Sequence, residues 1–428
     1  MSERRIEVPV LTRVEGEGAL YVHIEGKHVK DLRLNIFEPP RFFEKFLEGR
    51  SWKEIPDAVA RICGICPVAY QMSAVHAIEA AFGAVITPGI RQLRRLYYCG
   101  EWMESHSLHI HLLAAPDFLG FPDAMALAQE HPDIVRRGMR LQGLGNSIVT
   151  LLGGRSVHPV GARVGGFYRA PDATAAADLL ERLRAALPDA EELVRWTAQL
   201  ALPAVIRHAP FISLRHAEEY PMNEGRIVSS DGLSIGADEF EAYIEERQVP
   251  HSTALHATLD GRPYWVGPLA RVNNNLDHLP AASARLLRAT GMVWPSHNPY
   301  HSIVARALEI HIALTEAIAI LEHYRVPDQA YVEIEPRAGI GMACTEAPRG
   351  ILWQRYEFDD AGIVKKSRIV PPTSQNQAQI EADLRVSVEE NIDLDDAALR
   401  AHLEAGIRNY DPCISCSTHF LNLTVVRA

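Results

Sequence analysis

The chain has 428 residues, of which 47% are hydrophobic and 23% charged, and its formal net charge at pH 7 is -11. This composition is that of a globular protein with a substantial core, and the negative charge disfavours nucleic acid or an anionic membrane surface as a partner. The sequence contains no run of about 18 apolar residues, the length that a transmembrane segment needs. The charged N-terminus lacks the apolar core of a signal peptide, so we expect a cytoplasmic location.

The hydrophobic pattern predicts an α+β fold that is predominantly helical. Apolar residues alternate through residues 5–40, which is typical of a small N-terminal antiparallel sheet. We predict one domain over residues 1–428. After the sheet come a helical core at 41–200, a mixed α/β region at 201–372, C-terminal helices at 373–419 and a short tail at 420–428. Long central helices are expected at 67–85, 89–115, 174–202 and 302–325.

The mixed region carries weaker signals. Short strands are expected at 227–235 and 263–269, and a strand-rich segment lies near 330–372, beginning with a strand at 331–335. The last helices are expected at 375–386 and 396–408.

Two Cys-x-x-Cys pairs occupy opposite ends of the chain and use four of its six cysteines. The first is Arg61-Ile-Cys63-Gly-Ile-Cys66-Pro67, and the second is Asp411-Pro-Cys413-Ile-Ser-Cys416-Ser-Thr-His419. Two thiolates three residues apart can point the same way, so each pair is a bidentate soft ligand. If the pairs converge, they form a four-thiolate metal site that joins the two ends of the fold.

Three other interpretations of the cysteines compete with this one. A structural zinc site also uses four thiolates, although its two pairs usually lie within a few tens of residues. A thioredoxin-like redox pair follows a strand of a βαβ unit, and disulfides need an oxidising compartment. Cys99 and Cys344 stand alone and are interpreted as small buried hydrophobic residues.

The two cysteine motifs resemble the signatures of the large subunit of nickel-iron hydrogenases. Further matching motifs lie between about residues 10 and 419: Thr12-Arg-Val-Glu15-Gly16, Arg41-Phe-Phe-Glu44, Gly154-Arg-Ser-Val-His158-Pro159, Glu346-Ala-Pro-Arg349-Gly350 and Val370-Pro-Pro-Thr373. The Arg41 motif has Phe where the family has Gly. The short length and the ending look most like the soluble, cytoplasmic, bidirectional branch, coupled to NAD(P) or F420.

This resemblance implies the fold of that large subunit and reversible, heterolytic cleavage of H2 to protons and electrons. It also implies nickel held by Cys63, Cys66, Cys413 and Cys416, with Cys66 and Cys416 bridging to an iron that carries cyanide and carbonyl ligands, a Ni-Fe(CN)2(CO) centre. Soft thiolates suit both metals and leave an open position for catalysis.

The same resemblance assigns roles to residues around the metals. Cys413 accepts the proton, Glu15 is its first relay, and the alternative for Glu15 is a surface acid paired with Arg13. Arg349 and Thr373, with Pro372, contact the diatomic ligands, because an anionic ligand in an apolar pocket needs fixed hydrogen-bond donors. Asp411 orients Arg349.

A magnesium ion is implied near the end of the chain, where Glu44, the carbonyl of Ile369 and His419 with waters form a plausible shell. The histidines at 106, 109 and 111 resemble those of a helix that lines the family's site, and we interpret them as packed, hydrogen-bonded residues rather than metal ligands. Many relatives carry Asp where Ser105 aligns.

Partners are implied as well. No cysteines remain for iron-sulfur clusters, so an iron-sulfur small subunit must take the electrons, passing them to diaphorase-type or other electron-transfer subunits. Residues 420–428 resemble the extension that a maturation endopeptidase removes, with a maturation chaperone as a further partner. The alternative functions are a non-catalytic interaction subunit like that of complex I, which lacks the cysteine pairs, and a structural zinc protein that uses the four cysteines as ligands.

Overall fold

A computed structural model describes residues 3–39 and 42–418. The chain begins with a three-stranded antiparallel meander of order β1-β2-β3, at Glu3–Val8, Gly18–Glu25 and His28–Ile36. Alternate residues of β2, such as Leu20, Val22 and Ile24, are buried, as the period of two requires. They pack on the C-terminal helices, so the two ends of the chain share one hydrophobic cluster.

The helical part surrounds the largest hydrophobic cluster. Its helices are α1 to α8, at Phe43–Leu47, Ile55–Val59, Pro67–Phe82, Pro88–Leu108, Ala115–Leu119, Ala124–Glu130, Pro132–Gly153 and Ala173–Ala198. A π-helical turn, His109–Ala114, joins α4 to α5. The later helices are α9 to α15, at Phe240–Tyr243, Pro268–Asn274, Ala281–Ala289, Ser302–Glu322, Pro372–Glu390, Asp396–Asn409 and Ile414–Ser417.

The remaining strands form small antiparallel sheets. Strands β4 to β10 lie at Ala162–Arg163, Gly166–Phe167, Ile212–Arg215, Arg226–Ser229, Ser234–Ile235, Ile244–Arg247 and His256–Leu259. A longer sheet of order β11-β12-β13 follows, at Gly339–Ala347, Gly350–Phe358 and Val364–Val370. The predominantly helical α+β prediction, the N-terminal sheet and the strand-rich segment are therefore confirmed.

Two of the predicted strands are wrong, and the predicted strand 227–235 is instead the hairpin of β7 and β8 with a turn between them. Residues 263–269 contain only the isolated bridge residue Trp265, because Gly267 has a φ of +114° and Pro268 begins α10. Residues 331–335 alternate in polarity, but only Tyr331 pairs, through a single bridge to Gly166. The next strands along the chain, β11 and β12, pair with each other and not with this segment. The long helix α7 was not predicted.

A buried ion network joins the long helices to the β11-β12 hairpin. Arg271 of α10 donates two hydrogen bonds of 2.8 Å to Glu309 of α12 and one of 2.7 Å to Glu346 of β11. All three side chains have no exposed surface. Buried charges are tolerated when each has such partners, so this network fixes the hairpin against the helices. In the described part of the chain, no helix combines the length and the apolarity needed to cross a membrane.

The π-helical turn holds a histidine whose neutral state contributes to stability. Burial lowers the pKa of His111 to about 3 from its usual 6.5. Its ring stacks on Trp196 with centroids 6.1 Å apart, and its Nδ1 lies 2.9 Å from the Ser107 carbonyl oxygen. Since the unfolded chain binds a proton near pH 6.5 and the folded chain does not, the stabilisation is present above that pH and is lost as the pH falls towards 3.

We therefore expect His111→Gln to remove about 1 kcal/mol per pH unit from the acid-side slope of the unfolding free energy between pH 6 and 4. Urea unfolding of the isolated chain at several pH values measures this slope. His323→Gln, at an exposed helix end, is the matched control and should keep the parental slope. An unchanged slope in His111→Gln would show that the ring is protonated in the folded chain.

Candidate metal centre

The first cysteine pair occupies the turn between α2 and α3. Cys66 is the residue immediately before α3, whose first residue is Pro67, a favourable residue at that position. The Cys63 Sγ accepts the backbone N–H groups of Ile65 at 3.3 Å and of Cys66 at 3.2 Å. The local backbone therefore turns both sulfurs towards one side, as the spacing predicts.

The second pair lies against the N-terminal segment. Cys413 precedes α15 and forms a parallel bridge with Glu15, and the Ile414 N–H donates to the Glu15 carbonyl at 2.9 Å. Gly16 permits this approach, since it has a φ of +90° and a Cβ there would lie 2.7 Å from the Cβ of Ile414. The motif around Glu15 thus meets the second cysteine pair directly.

The four sulfurs form one buried cluster. All lie within 4.8 Å of one another. Sγ–Sγ distances are 3.5 Å for Cys63–Cys413, 3.9 Å for Cys66–Cys416 and 2.8 Å for Cys413–Cys416. Each cysteine is at most 6% exposed, and none is in a disulfide. Four free thiols in so small a volume are a soft donor set that fits nickel and iron.

The electrostatics of the cluster favour bound cations. Burial raises the pKa of the Cys413 and Cys416 thiols well above the usual range. The pKa of the Cys63 thiol is instead lowered well below it, although burial acts the other way, because the neighbouring thiols donate to its sulfur and Arg349 stabilises its charge. Metal binding requires all four thiolates, and bound cations supply the positive charge that four buried anions need.

Arg349 faces this cluster from the tight turn between β11 and β12. Its Nε donates to the Asp411 carbonyl oxygen at 2.8 Å, and its Nη2 donates to Asp411 Oδ1 at 3.0 Å. The Nη1 atom is buried and has no hydrogen-bond partner among the described residues. Asp411 has a φ of +56°. Arg349 is therefore held by two bonds and keeps one donor for another ligand.

Two more predicted residues contact Cys413. The Thr373 Oγ1, in the first turn of α13 beside Pro372, accepts the Cys413 N–H at 3.1 Å. The Glu15 Oε2 lies 3.1 Å from the Cys413 Sγ and accepts the Ser415 N–H at 3.0 Å. Arg13 pairs with Asp117 rather than with Glu15. Glu15 is thus not the surface ion pair that was the alternative.

The predicted magnesium ligands are only partly described. The Glu44 Oε1 accepts the Ile369 N–H at 2.7 Å, so this carboxylate and the end of β13 are neighbours. His419 and the tail 420–428 lie outside the described residues. The predicted ligand set therefore stays a prediction.

Sequence reasoning missed two buried acids on α4. Glu101 accepts the N–H groups of Val68 at 2.5 Å and Ala69 at 3.1 Å, and so caps α3 directly behind Cys66. Glu104 is 9% exposed, and burial raises its pKa to about 8. The available signal was two acids one turn apart in an otherwise buried helix.

The nearby histidines are hydrogen-bonded, as expected: His106 lies 2.9 Å from Glu309, and His109 lies 2.8 Å from the Arg408 carbonyl.

Comparison with known proteins gives a consistent result. The family model described as nickel-dependent hydrogenase matches residues 41–135 and 256–419. The chain is 34% identical to the alpha subunit of sulfhydrogenase 1 of Pyrococcus furiosus, with 98% of each chain covered. It is 30% identical to a subunit of the F420-non-reducing hydrogenase of Methanothermobacter thermautotrophicus, with 98% of this chain and 95% of the relative covered.

Solved structures agree. The chain superposes on an NAD+-reducing [NiFe]-hydrogenase in the H2-reduced state with a TM-score of 0.88 and 26% identity, over 97% of this chain and 99% of that one. A [NiFeSe]-hydrogenase of Dm. baculatum, 22% identical, shares the fold with a TM-score of 0.75 over 98% of this chain and 100% of that one.

The Arg349–Asp411 pair gives a stability prediction. Arg349→Met should destabilise the isolated chain by about 3 kcal/mol, because it leaves the Asp411 carboxylate buried without its main partner. Arg349→Met combined with Asp411→Asn should recover most of that loss, since Asn tolerates a positive φ and carries no charge. Urea unfolding of the parent, the two single variants and the double variant gives the coupling free energy between the two side chains. Additive losses would mean that the two groups do not interact energetically.

Proposed function

This chain belongs to the nickel-dependent hydrogenase family as the catalytic large subunit of a nickel-iron hydrogenase, an oxidoreductase acting on H2, and on that premise we propose how its residues divide the work. Cys63, Cys66, Cys413 and Cys416 would hold the nickel, and Cys66 and Cys416 would also hold the iron. The supporting observation is the clustering of four buried sulfurs within 4.8 Å. When bound, the metal centre supplies the heterolytic cleavage of H2 and the transfer of its electrons.

Arg349, Thr373 and Pro372 form the pocket for the cyanide and carbonyl ligands of a Ni-Fe(CN)2(CO) centre. The free Nη1 of Arg349 is a buried donor that needs an acceptor. The Thr373 hydroxyl accepts from the Cys413 N–H and keeps its own proton to donate. Asp411 fixes the guanidinium, so this donor set is preorganised.

Glu15 carries the proton away from Cys413. Its carboxylate oxygen lies 3.1 Å from the sulfur, within direct transfer reach, and the Ser415 N–H holds it there. Glu15 is part-buried, so it lies between the enclosed cluster and the protein exterior. This position suits the first member of a proton path.

Glu44, the Ile369 carbonyl and His419 would hold a magnesium ion, and the hydrogen bond from the Ile369 N–H to Glu44 keeps the first two side by side. The bound ion would fasten α1 and the end of β13 to the C-terminal segment that carries Cys413 and Cys416. Its role is to close the centre rather than to take part in the reaction.

Electrons leave through an iron-sulfur small subunit, because the two further cysteines, Cys99 and Cys344, are separately buried. The likeness to an NAD+-reducing enzyme favours a nicotinamide acceptor through diaphorase-type subunits, whereas relatives named F420-non-reducing give no support to F420. A cytoplasmic location, a maturation chaperone and an endopeptidase that removes 420–428 stay predictions. Neither a complex I-like interaction subunit nor a structural zinc protein is supported.

Paired substitutions of the two acids test these roles in the purified complex. Glu15→Gln keeps shape and hydrogen bonding but cannot cycle a proton, so H2 turnover and H/D exchange with solvent should fall by at least about 100-fold with nickel and iron retained. Glu44→Gln should instead lose magnesium and lower the nickel content with the rate. Elemental analysis and exchange assays measure both.

Glu17→Gln is the matched control, because Glu17 is exposed, lies two residues from Glu15 and should keep parental turnover. Parental exchange in Glu15→Gln would move the proton path to another residue. Parental magnesium in Glu44→Gln would remove that residue from the ion's shell.

A further inference from the structure

A second cluster of metal-ligating side chains lies away from the four cysteines. His251, in the β9–β10 loop, His256, the first residue of β10, and Glu381 of α13 have ligand atoms that all lie within 4.8 Å of one another. The His251 Nε2 is 2.7 Å from Glu381 Oε1, and the His256 Nδ1 is 4.0 Å from Glu381 Oε2. Two imidazoles thus converge on the two oxygens of one carboxylate.

Hydrogen bonding alone leaves this cluster incomplete. His256 is only 3% exposed, and its Nδ1 is the ring nitrogen that faces the Glu381 carboxylate, 4.0 Å from Oε2. Its Nδ1 is too far from Glu381 for a hydrogen bond, whereas two ligands of one cation, each about 2.0–2.2 Å from it, commonly stand about 3–4 Å apart. A cation bound by the His256 Nδ1 would fill this gap to the Glu381 Oε2.

Glu381 is also oriented as a metal-binding carboxylate is. Its Oε1 accepts the Leu34 backbone N–H at 2.8 Å, which fixes the carboxylate from the N-terminal sheet. Hydrogen bonds of this kind to a ligand set its direction and are part of most metal sites. His251 and Glu381 are each 19% exposed, so a cation can enter from solvent.

We propose that His251, His256 and Glu381 bind a divalent transition-metal cation, of the zinc type, at the junction of the N-terminal sheet, the β9–β10 loop and α13. Two nitrogens and one carboxylate oxygen are the donor set of such a cation, and they suit magnesium poorly. The site is distinct from the cysteine cluster and from Glu44 and Ile369.

The bound cation would hold α13 in place. Thr373 and Glu381 lie on that helix eight residues apart (381 minus 373), or about 12 Å along its axis. Thr373, in the first turn of α13, accepts the Cys413 N–H. Glu381, two turns further along, would be fixed to β3 through its hydrogen bond from Leu34 and to β10 through the cation. The cation therefore acts as a structural link that supports the position of Thr373.

Zinc binding to the intact holoenzyme complex tests this proposal. In that complex nickel and iron already fill the four-cysteine site. Equilibrium dialysis with zinc alone, followed by elemental analysis, should give one additional zinc per chain. Zinc K-edge absorption should show a shell of nitrogen and oxygen without sulfur. His251→Ala and Glu381→Gln should each weaken binding by at least about 10-fold, as the loss of a ligand requires.

His23→Ala is the matched control, because His23 also faces a carboxylate, that of Glu3 at 3.2 Å, without a second imidazole in that pair. It should keep the additional zinc, and thermal unfolding should show a zinc-dependent rise in midpoint for the parent and for His23→Ala only. No additional zinc, a shell that contains sulfur, or equal binding in all variants would overturn the proposal.

Discussion

The meeting of the two chain ends at four sulfurs is the constraint on which the rest of the structure depends. Cys63 and Cys66 are fixed by the start of α3, and Cys413 and Cys416 by the start of α15. A cluster within 4.8 Å requires both turns to approach closely and buries every sulfur, and Gly16 lets the N-terminal segment pack against Ile414 beside the second pair. Small displacements of either turn would separate the donors of one metal centre.

Charged groups in the interior are organised around this cluster in two layers. Asp411 and Arg349 pair beside the sulfurs, and Arg306 approaches Asp411 at 4.0 Å. Behind the hairpin that carries Arg349, Arg271 ties Glu346 to Glu309. Since buried charges without partners are strongly destabilising, each layer holds the next in place. Within this frame the Arg349 Nη1 is a buried donor without a hydrogen-bond partner among the described residues.

Much of the site could be predicted from sequence because its residues lie in short motifs whose local backbone sets their direction. The cysteine pairs are of this kind, whereas Glu15 and Arg349 are assigned through the resemblance of their motifs to those of the family. Glu101 and Glu104 were missed, because an acid in a buried helix shows its role only through the tertiary neighbours that it caps or faces. The His251–His256–Glu381 cluster was also missed, since its members come from a loop, a strand and a distant helix.

In the fold, too, local sequence patterns predicted some elements, and those that depend on tertiary contacts were missed. Alternation identified β1 to β3, where one face is buried, and long apolar runs identified α3, α4, α8 and α12. The segment 331–335 has a strand's alternation but meets only the two-residue strand β5, through the single bridge of Tyr331 to Gly166, and pairing is a tertiary property. At 263–269 the Gly267-Pro268 step starts a helix within an apolar run.

Metal content together with infrared spectra of the purified complex tests the central claim most directly. If the four cysteines hold one nickel-iron centre, the complex contains about one nickel per chain and shows cyanide and carbonyl stretching bands, and Cys413→Ser abolishes H2 uptake. Zinc in place of nickel, without bands from diatomic ligands, would contradict the account.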